Sequence, residues 1–332
     1  MGTLARLGAR PDLAVAALIV SAVFMMVLPL PSWLLDALLA LSLCSSVLLL
    51  MTAFYLRRPV DFSVLPAVIL VDTVFRLALS IASTRLILLE ADAGHIIRTF
   101  GEFVVQGNVL VGLVVFLIIT VVQFVVITKG GERVAEVGAR FTLDALPGKQ
   151  MAIDADLRGG DIDQAEARRR RRGLERESQL YGAMDGAMKF VKGDAIAGLV
   201  IIVVNLLGGL AVGVLQMGMP FGDAARTYSI LTVGDGLVSQ IPALFVSICA
   251  GVVVTRVAAE MEEDAARRDG LGGEIVRQVT GEPRALGIAA AVSLLFAAVP
   301  GFPPLVFLLL AAGLGALAWR GMRRRSLALA PT

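Results

Sequence analysis

Charged side chains inside apolar runs are the residues of this sequence best placed to do chemistry. Asp72, Arg76 and Arg85 lie within the apolar run 64–88, and Asp235 lies within a later apolar run. An ionisable side chain is costly in a membrane, so such residues usually face a protein interior or an ion pathway. These four residues are therefore the first candidates for a functional site.

Asp72 and Arg76 are four residues apart, which places both side chains on one face of a helix. At about 1.5 Å of rise per residue from position 64, both lie near the middle of a membrane. The spacing predicts an intramembrane ion pair.

Arg85 follows Arg76 by nine residues, so it lies on the opposite helix face and near the outer end of the run. Asp235 lies in the outer part of a run that crosses in the other direction. We hypothesise that Arg85 and Asp235 pair across the helix bundle. The alternative is that water at the outer interface solvates each of them separately.

Asp194 lies where a long polar segment meets the next apolar run, and Asp185 precedes it by nine residues with Lys189 and Lys192 between them. A carboxyl group at such a boundary is partly desolvated and close to lysines, so it can respond to protons. An equally good interpretation makes Asp194 the N-cap of a membrane helix.

Motifs for enzymatic chemistry are absent from the sequence. Residues 147–150 contain the Gly-Lys pair of a phosphate-binding loop but lack its following Ser or Thr and its earlier Gly. A single histidine, His95, excludes His-rich metal sites and catalytic triads. Cys44 and Cys249 each sit in an apolar run, as small core residues do. We therefore expect no enzyme, no metal and no cofactor.

The elements that must position these residues are membrane helices. Apolar residues make up 57% of the chain and charged residues 17%, against about 25% charged in soluble domains. Only helices satisfy their own backbone in lipid at this pattern, so the sequence predicts an all-α polytopic membrane protein with about eight spans. The predicted spans are 13–30, 33–53, 64–88, 109–128, 196–218, 230–254, 285–300 and 302–319, with the last two as a hairpin. The spacing of Gly209 and Gly213 predicts close helix packing in the fifth span.

Loop charge predicts the orientation. Arginine and lysine are concentrated in Arg6, Arg10, Arg57, Arg58, the segment 129–195, the loop 255–284, and the tail from Arg320 to Arg325. The intervening loops 31–32, 89–108, 219–229 and 300–304 contain only two arginines, Arg98 and Arg226, and no lysine. By the positive-inside rule, both termini and the 129–195 segment are cytoplasmic.

The chain therefore divides into four predicted parts: helices one to four in 1–128, a cytoplasmic insert in 129–195, helices five to eight in 196–320, and a basic tail in 321–332. Within the insert, Pro147-Gly148 predicts a turn, Gly159-Gly160 a helix break and Asp163 a helix start. The arginine run 168–172 could bind nucleic acid or anionic lipid. Nearby acids favour a solvated helix face, so we expect no nucleic acid.

Seven stretches resemble the export-gate family of type III secretion systems, called FHIPEP: 75–86, 112–116, 127–130, 139–156, 181–185, 193–198 and 234–237. The resemblance covers nearly all of residues 13–256 and is weaker beyond them. It implies a multi-pass protein of the bacterial inner membrane that helps couple the proton-motive force to translocation of unfolded proteins.

The resemblance also implies partners and site residues. It implies a homo-nonameric ring in the lipid bilayer, with other membrane proteins of the export apparatus beside it. By motif match, the charges implicated in the proton response are Arg85, Arg133, Arg140, Asp144, Asp185, Asp194 and Asp235, and Lys149 lies in the same signature loop.

Two features depart from the family pattern. Family members carry a large cytosolic C-terminal domain that binds the export ATPase complex and substrate–chaperone complexes, and we expect it to be missing here. The position of Asp72 usually holds a small hydroxyl residue in the family, so its pairing with Arg76 is a local solution to the burial of Arg76.

The loop 89–99 and residues 122–127 and 177–181 resemble the virulence (injectisome) branch more than the flagellar branch.

Two other classes of function remain open. A small-solute or ion transporter would also place Asp and Arg in the membrane, but its usual inverted repeat is not evident between 13–128 and 196–319. A purely structural membrane scaffold would tolerate the loss of charge at Asp194 or Asp235.

Overall fold

The computed structural model describes residues 11–56, 58–256, 283–297 and 303–328. The secondary structure of these residues is helical, with no strand among them. The chain forms two compact units, Met1–Ala258 and Ala259–Thr332. The predicted all-α class is confirmed.

Eight α-helices make up the described part of the first unit: α1 (Pro11–Val27), α2 (Ser32–Tyr55), α3 (Leu65–Glu90), α4 (Gly94–Val105), α5 (Val109–Val122), α6 (Lys129–Gly159), α7 (Gln164–Ala211) and α8 (Phe221–Thr255). A short 3₁₀ helix, Pro59–Phe62, precedes α3. A π-helical segment, Gln123–Thr128, joins α5 to α6, and a second one, Val212–Gln216, follows α7.

Five described helices are long and apolar enough to cross a membrane: Ser32–Tyr55, Pro59–Glu90, Val109–Gly159, Gln164–Gln216 and Phe221–Thr255. Three shorter apolar helices occupy Val15–Val27, Pro283–Leu295 and Pro304–Arg320. Every predicted span therefore contains a described helix, and five of these helices are both long and apolar enough for a crossing.

The second unit contains α9 (Pro283–Ala297) and α10 (Pro304–Ala328), which pack against each other. Most of the predicted 300–304 turn lies outside the described residues, as do Arg6, Arg10, Arg57 and nearly all of the 255–284 loop.

The polar segment is a helical hairpin whose two arms continue into the apolar helices. Gly160, at φ +82°, ends α6, and Asp163 begins α7 by accepting a hydrogen bond from the Glu166 amide at 2.7 Å. The predicted break and helix start are both confirmed. The chain therefore passes from the polar segment into the apolar helix at Asp194 without a break in the helix.

Three local predictions are wrong. Pro147 and Gly148 lie inside α6, because packing along α7 outweighs the one backbone hydrogen bond that a proline removes. Asp194 is not an N-cap, since α7 runs unbroken from Gln164 to Ala211. The predicted loop 89–108 contains α4, whose amphipathic pattern is too short to count as a span.

Close approach of helices depends on glycines at two places. A Cβ on Gly209 or Gly213 would lie 2.2 or 2.6 Å from the ring of Tyr228, which is fully buried against them. The predicted close packing in the fifth span is therefore confirmed. At the α4–α8 contact, a Cβ on Gly234 would lie 1.9 Å from the Ile97 carbonyl oxygen, and one on Gly101 would lie 2.1 Å from the Ile230 carbonyl oxygen.

Candidate functional site: a buried polar cavity

Arg76 on α3 is held between two carboxylates. Its Nη2 donates to Asp194 Oδ2 on α7 at 2.6 Å, and its Nε lies 3.4 Å from Asp72 Oδ2 one turn earlier on α3. Ser45 on α2 donates a weak hydrogen bond to Asp72 Oδ1 at 3.3 Å. Three helices therefore meet at one ionic cluster.

The spacing of Asp72 and Arg76 produces the expected contact, but the sequence does not reveal Asp194 as the stronger partner. The sequence predicts that Arg76 lies at mid-membrane and Asp194 at the membrane boundary. In the structure the two side chains contact each other and therefore lie at the same depth. The cluster is buried, with Arg76 3% exposed and Asp194 13% exposed.

Asp235 on α8 forms a second site with neutral partners. Ser83 on α3 donates to its Oδ1 at 2.5 Å, and Asn205 on α7 donates to its Oδ2 at 3.0 Å. The Asp235 side chain is 3% exposed. No Lys, Arg or His side chain pairs with this carboxylate among the described residues.

Glycines on both sides of Asp235 let neighbouring groups close over it. Gly234 admits the backbone of α4, as described above. A Cβ on Gly236 would lie 2.4 Å from the ring of Phe116 on α5. The residue before and the residue after Asp235 therefore keep it away from lipid.

A narrow cavity joins the two sites. Its lining includes Arg76 and Asp194 at one site and Asp235 at the other. The uncharged polar side chains along it are Ser80, Thr120, Gln123, Thr128, Ser239 and Gln240. The cavity has a volume of about 60 Å³. A water needs roughly 10–15 Å³ by this measure, so the cavity has room for a few waters.

The hypothesis that Arg85 pairs with Asp235 is wrong. Arg85 Nη1 donates to the carbonyl oxygen of Val27, the last residue of α1. Arg85 follows Ser83 by two residues, which turns its side chain about 200° around the helix axis. Ser83 faces Asp235, and Arg85 therefore faces α1.

The remaining candidate charges lie on the hairpin, away from the cavity lining. Their contacts are Arg133–Glu136 at 2.8 Å, Arg140–Asp144 at 3.8 Å, Lys149–Glu177 at 3.3 Å and Asp185–Lys189 at 2.8 Å. The first two pairs are exposed, with Arg133 73% and Arg140 83% exposed. Of the four proton-coupling candidates, the structure brings only Asp194 and Asp235 to the cavity.

The arginine run is balanced by acids of the hairpin, as the solvated-face interpretation expects. Arg169 and Arg170 pair with Glu166, and Arg170 also pairs with Asp156 across the hairpin. Arg171 pairs with Asp154 in the same way.

Sequence reasoning missed the neutral side chains that complete the site. Ser83 and Asn205 hold Asp235, and Ser45 contacts Asp72. Asn205 could have been found, because a lone Asn in an apolar run needs a buried partner. Serines are common in membrane helices, so Ser45 and Ser83 gave no distinct signal. No group of three or more His, Cys, Asp or Glu that could hold a metal ion occurs in the described ranges.

Comparison with known proteins places this chain in a family. A sequence model of the FHIPEP family matches residues 22–330. The chain is 57% identical to the low calcium response locus protein D of Yersinia pestis over 321 residues, which is 97% of this chain and 45% of that protein. No solved structure matches significantly.

Two further relatives have similar coverage. The harpin secretion protein HrpI of Erwinia amylovora is 58% identical over 91% of this chain and 42% of its own length, and the protein MxiA of Shigella flexneri is 54% identical over 95% and 45%. The chain thus spans less than half the length of these curated relatives. With a family match over most of its length and relatives at this identity, the chain belongs to the FHIPEP family.

Proposed function

We propose that this chain is part of the inner-membrane export gate of a type III protein secretion system, in the injectisome branch. Its family and relatives named as secretion proteins support this function. We further propose that the gate couples the proton-motive force to translocation of unfolded proteins. The observation that carries this second step is the pair of buried acidic sites on one cavity.

The charges of the two buried acidic sites do not balance unless protons are bound. Asp72 and Asp194 share the single guanidinium of Arg76, and Asp235 has only neutral partners. Burying an uncompensated carboxylate is strongly unfavourable. Neutrality therefore needs a proton on Asp235 and another in the Arg76 cluster, and the sites can gain or lose these protons as the membrane potential and pH change.

The proposed topology has eight spans, the α6–α7 hairpin in the cytoplasm and both termini in the cytoplasm. Positive charge in alternate loops supports this orientation. The five long helices and three shorter apolar helices supply one segment for each proposed crossing.

The proposed partners are eight further copies of the chain in a nonameric ring and the other membrane proteins of the export apparatus. Lipid-facing apolar side chains on α5, such as Leu110 and Ile118, offer surface for such contacts. The relatives are longer than this chain, and the match covers 45% of the first of them. We propose that the export ATPase complex and substrate–chaperone complexes bind the part of such a protein that lies outside the matched region.

The rival function is a small-solute transporter, and the cavity argues against it. The cavity has room for a few waters, and this volume is far smaller than the volume of a site that encloses an organic solute. Its lining also contains more neutral hydroxyl and amide groups than charged groups. A cavity of this size suits water and protons.

The test compares Asp194→Asn and Asp235→Asn, each introduced into the gene of a secreting bacterium. Each variant should insert and assemble but secrete far less, because it cannot change its protonation state. Secretion is measured as external pH is varied, and ring assembly is measured in parallel. The control is Asp161→Asn, which removes an exposed carboxylate in the hairpin turn.

Normal secretion in both cavity variants would overturn proton coupling. Failed assembly in both would move the explanation to a purely structural scaffold.

A further inference from the structure

The two acidic sites are joined by a polar stripe along one face of α3. Asp72, Arg76, Ser80 and Ser83 follow each other at helical spacings of four, four and three residues. Arg76 and Ser83 are separated by about 10 Å along the helix axis. The two sites are therefore too far apart for direct proton transfer along this helix, and any transfer needs intermediate groups.

Two hydroxyls occupy the middle of this interval. Ser80 Oγ on α3 lies 3.2 Å from Ser239 Oγ on α8, and both side chains line the cavity. Ser239 also donates to the carbonyl oxygen of Asp235 at 2.9 Å. Since Ser239 uses its single proton there, Ser80 is the donor between the two hydroxyls.

We propose that Ser80 and Ser239, together with water in the cavity, relay a proton between Asp235 and Asp194. This inference rests on the proposed proton-coupled function. It adds two uncharged side chains to the path, neither of which carries a charge that would mark it in the sequence.

The relay conserves every atom of the hydroxyls. Rotation about the Cβ–Oγ bonds first turns the Ser239 proton toward Ser80 and the Ser80 proton toward the Asp194 site. Each hydroxyl oxygen then accepts a proton through a lone pair while its own proton passes to the next oxygen, and a second rotation restores the starting state. The few waters that the cavity can hold fill the gaps between hydroxyl and carboxylate. One proton leaves the Asp235 carboxyl group and one arrives at the Asp194 carboxylate.

The surrounding groups fit this direction of transfer. The Arg76 guanidinium donates to the Asp194 carboxylate and holds it in place. The second acid in contact with Arg76 is Asp72, which lies beside the guanidinium Nε. The cavity lining contains no Lys or His among the described residues that could bind the proton in transit.

The experiment measures proton influx into right-side-out membrane vesicles and secretion by cells for the variant Ser80→Ala/Ser239→Ala. Loss of positioned proton-transfer groups should lower influx and secretion on the order of a hundredfold or more. The conservative variant Ser239→Thr keeps a hydroxyl and should retain most of the rate. Ser46→Ala is the matched control, because it removes a buried hydroxyl whose bond is to its own helix at Leu43.

Wild-type influx and secretion in the double alanine variant, with Asp235→Asn inactive, would overturn the relay and leave the proposed function standing. Wild-type rates in Asp235→Asn as well would overturn both. A rate loss that Ser239→Thr shares fully with the alanine variants would also overturn the relay, because packing rather than the hydroxyl would then matter. If the double variant does not reach the membrane, Ser80→Ala and Ser239→Ala alone make the same comparison.

Discussion

Arg76 is shared by carboxylates from two helices, and this sharing makes it the main ionic tie in the bundle. Asp72 lies on its own helix, whereas Asp194 belongs to α7. A guanidinium can serve two carboxylates because its donors form a planar fork. The tie holds α3 and α7 together at the depth of the cavity.

We predict that Arg76→Met destabilises the protein by about 3–5 kcal/mol, because it leaves the ionised carboxylate of the Arg76 cluster without a counter-charge. Thermal unfolding of the purified protein in detergent measures the effect. Combining Arg76→Met with Asp194→Asn should recover part of the loss, since the cluster then has one carboxyl group fewer to keep neutral. Arg169→Met is the control, as its side chain is 78% exposed. Equal unfolding temperatures for Arg76→Met and Arg169→Met would contradict the prediction.

At this scale the sequence predicts which charges lie in apolar runs, but it predicts their partners only within one helix. The Asp72–Arg76 contact follows from a four-residue spacing. The partners of Asp235 and Asp194 lie more than 29 residues away in the chain, on other helices. Their contacts depend on how the helices rotate against each other, which no local spacing encodes.

The contact between α4 and α8 is the closest helix approach near the functional site. Gly101 and Gly234 face the backbone of the opposite helix, and the carbonyl oxygens of Ile97 and Ile230 occupy the space of their missing side chains. This approach places α4 over one side of Asp235. The short helix is therefore part of the site although it crosses no membrane.

Gly234→Ala should therefore destabilise the fold by about 1–3 kcal/mol or more, because the added methyl group collides with backbone that cannot rotate away. The same change at Gly251, on the same helix, meets nothing within 4 Å and should leave stability unchanged or slightly improved. Folded yield and unfolding temperature in detergent compare the two variants. A milder effect for Gly234→Ala than for Gly251→Ala would refute the close-approach argument.

Most long elements could be predicted from the sequence, since apolar runs of span length mark them directly. The exceptions share a physical cause. Helix α4 is short and amphipathic, so a search for spans passes over it. Pro147 and Gly148 favour a turn locally, but the paired hairpin arms keep α6 helical through them.

The described part of the first unit has an apolar bundle at one end of the hairpin arms and a charged tip at the other. Pairs between α6 and α7, such as Lys149–Glu177 and Arg171–Asp154, hold the arms together on the polar side. Each exposed pair contributes little by itself, about 0–1 kcal/mol. The hairpin thus remains together mainly through its buried seam, which includes Ala139 and Tyr181.

The proposed orientation predicts which side of the membrane each part faces. In a protein with Cys44→Ser and Cys249→Ala, a cysteine at Gln150 should react with a membrane-impermeant maleimide only after the inner membrane is opened. A cysteine at Glu102, exposed on α4, should react in intact spheroplasts. Labelling in the reverse pattern would contradict a cytoplasmic hairpin.

Helix α7 has a mechanical consequence for the gate. Its 48 residues form one rod about 70 Å long, and Asp194 lies about 45 Å from the Gln164 end. Because the helix has no break, a tilt at the Gln164 end also moves the segment around Asp194. The distance between them makes the hairpin tip the longer arm of this tilting helix. In the proposed orientation, a protein that binds this tip from the cytoplasm would thereby open or close the 2.6 Å contact between Asp194 and Arg76 without touching the membrane.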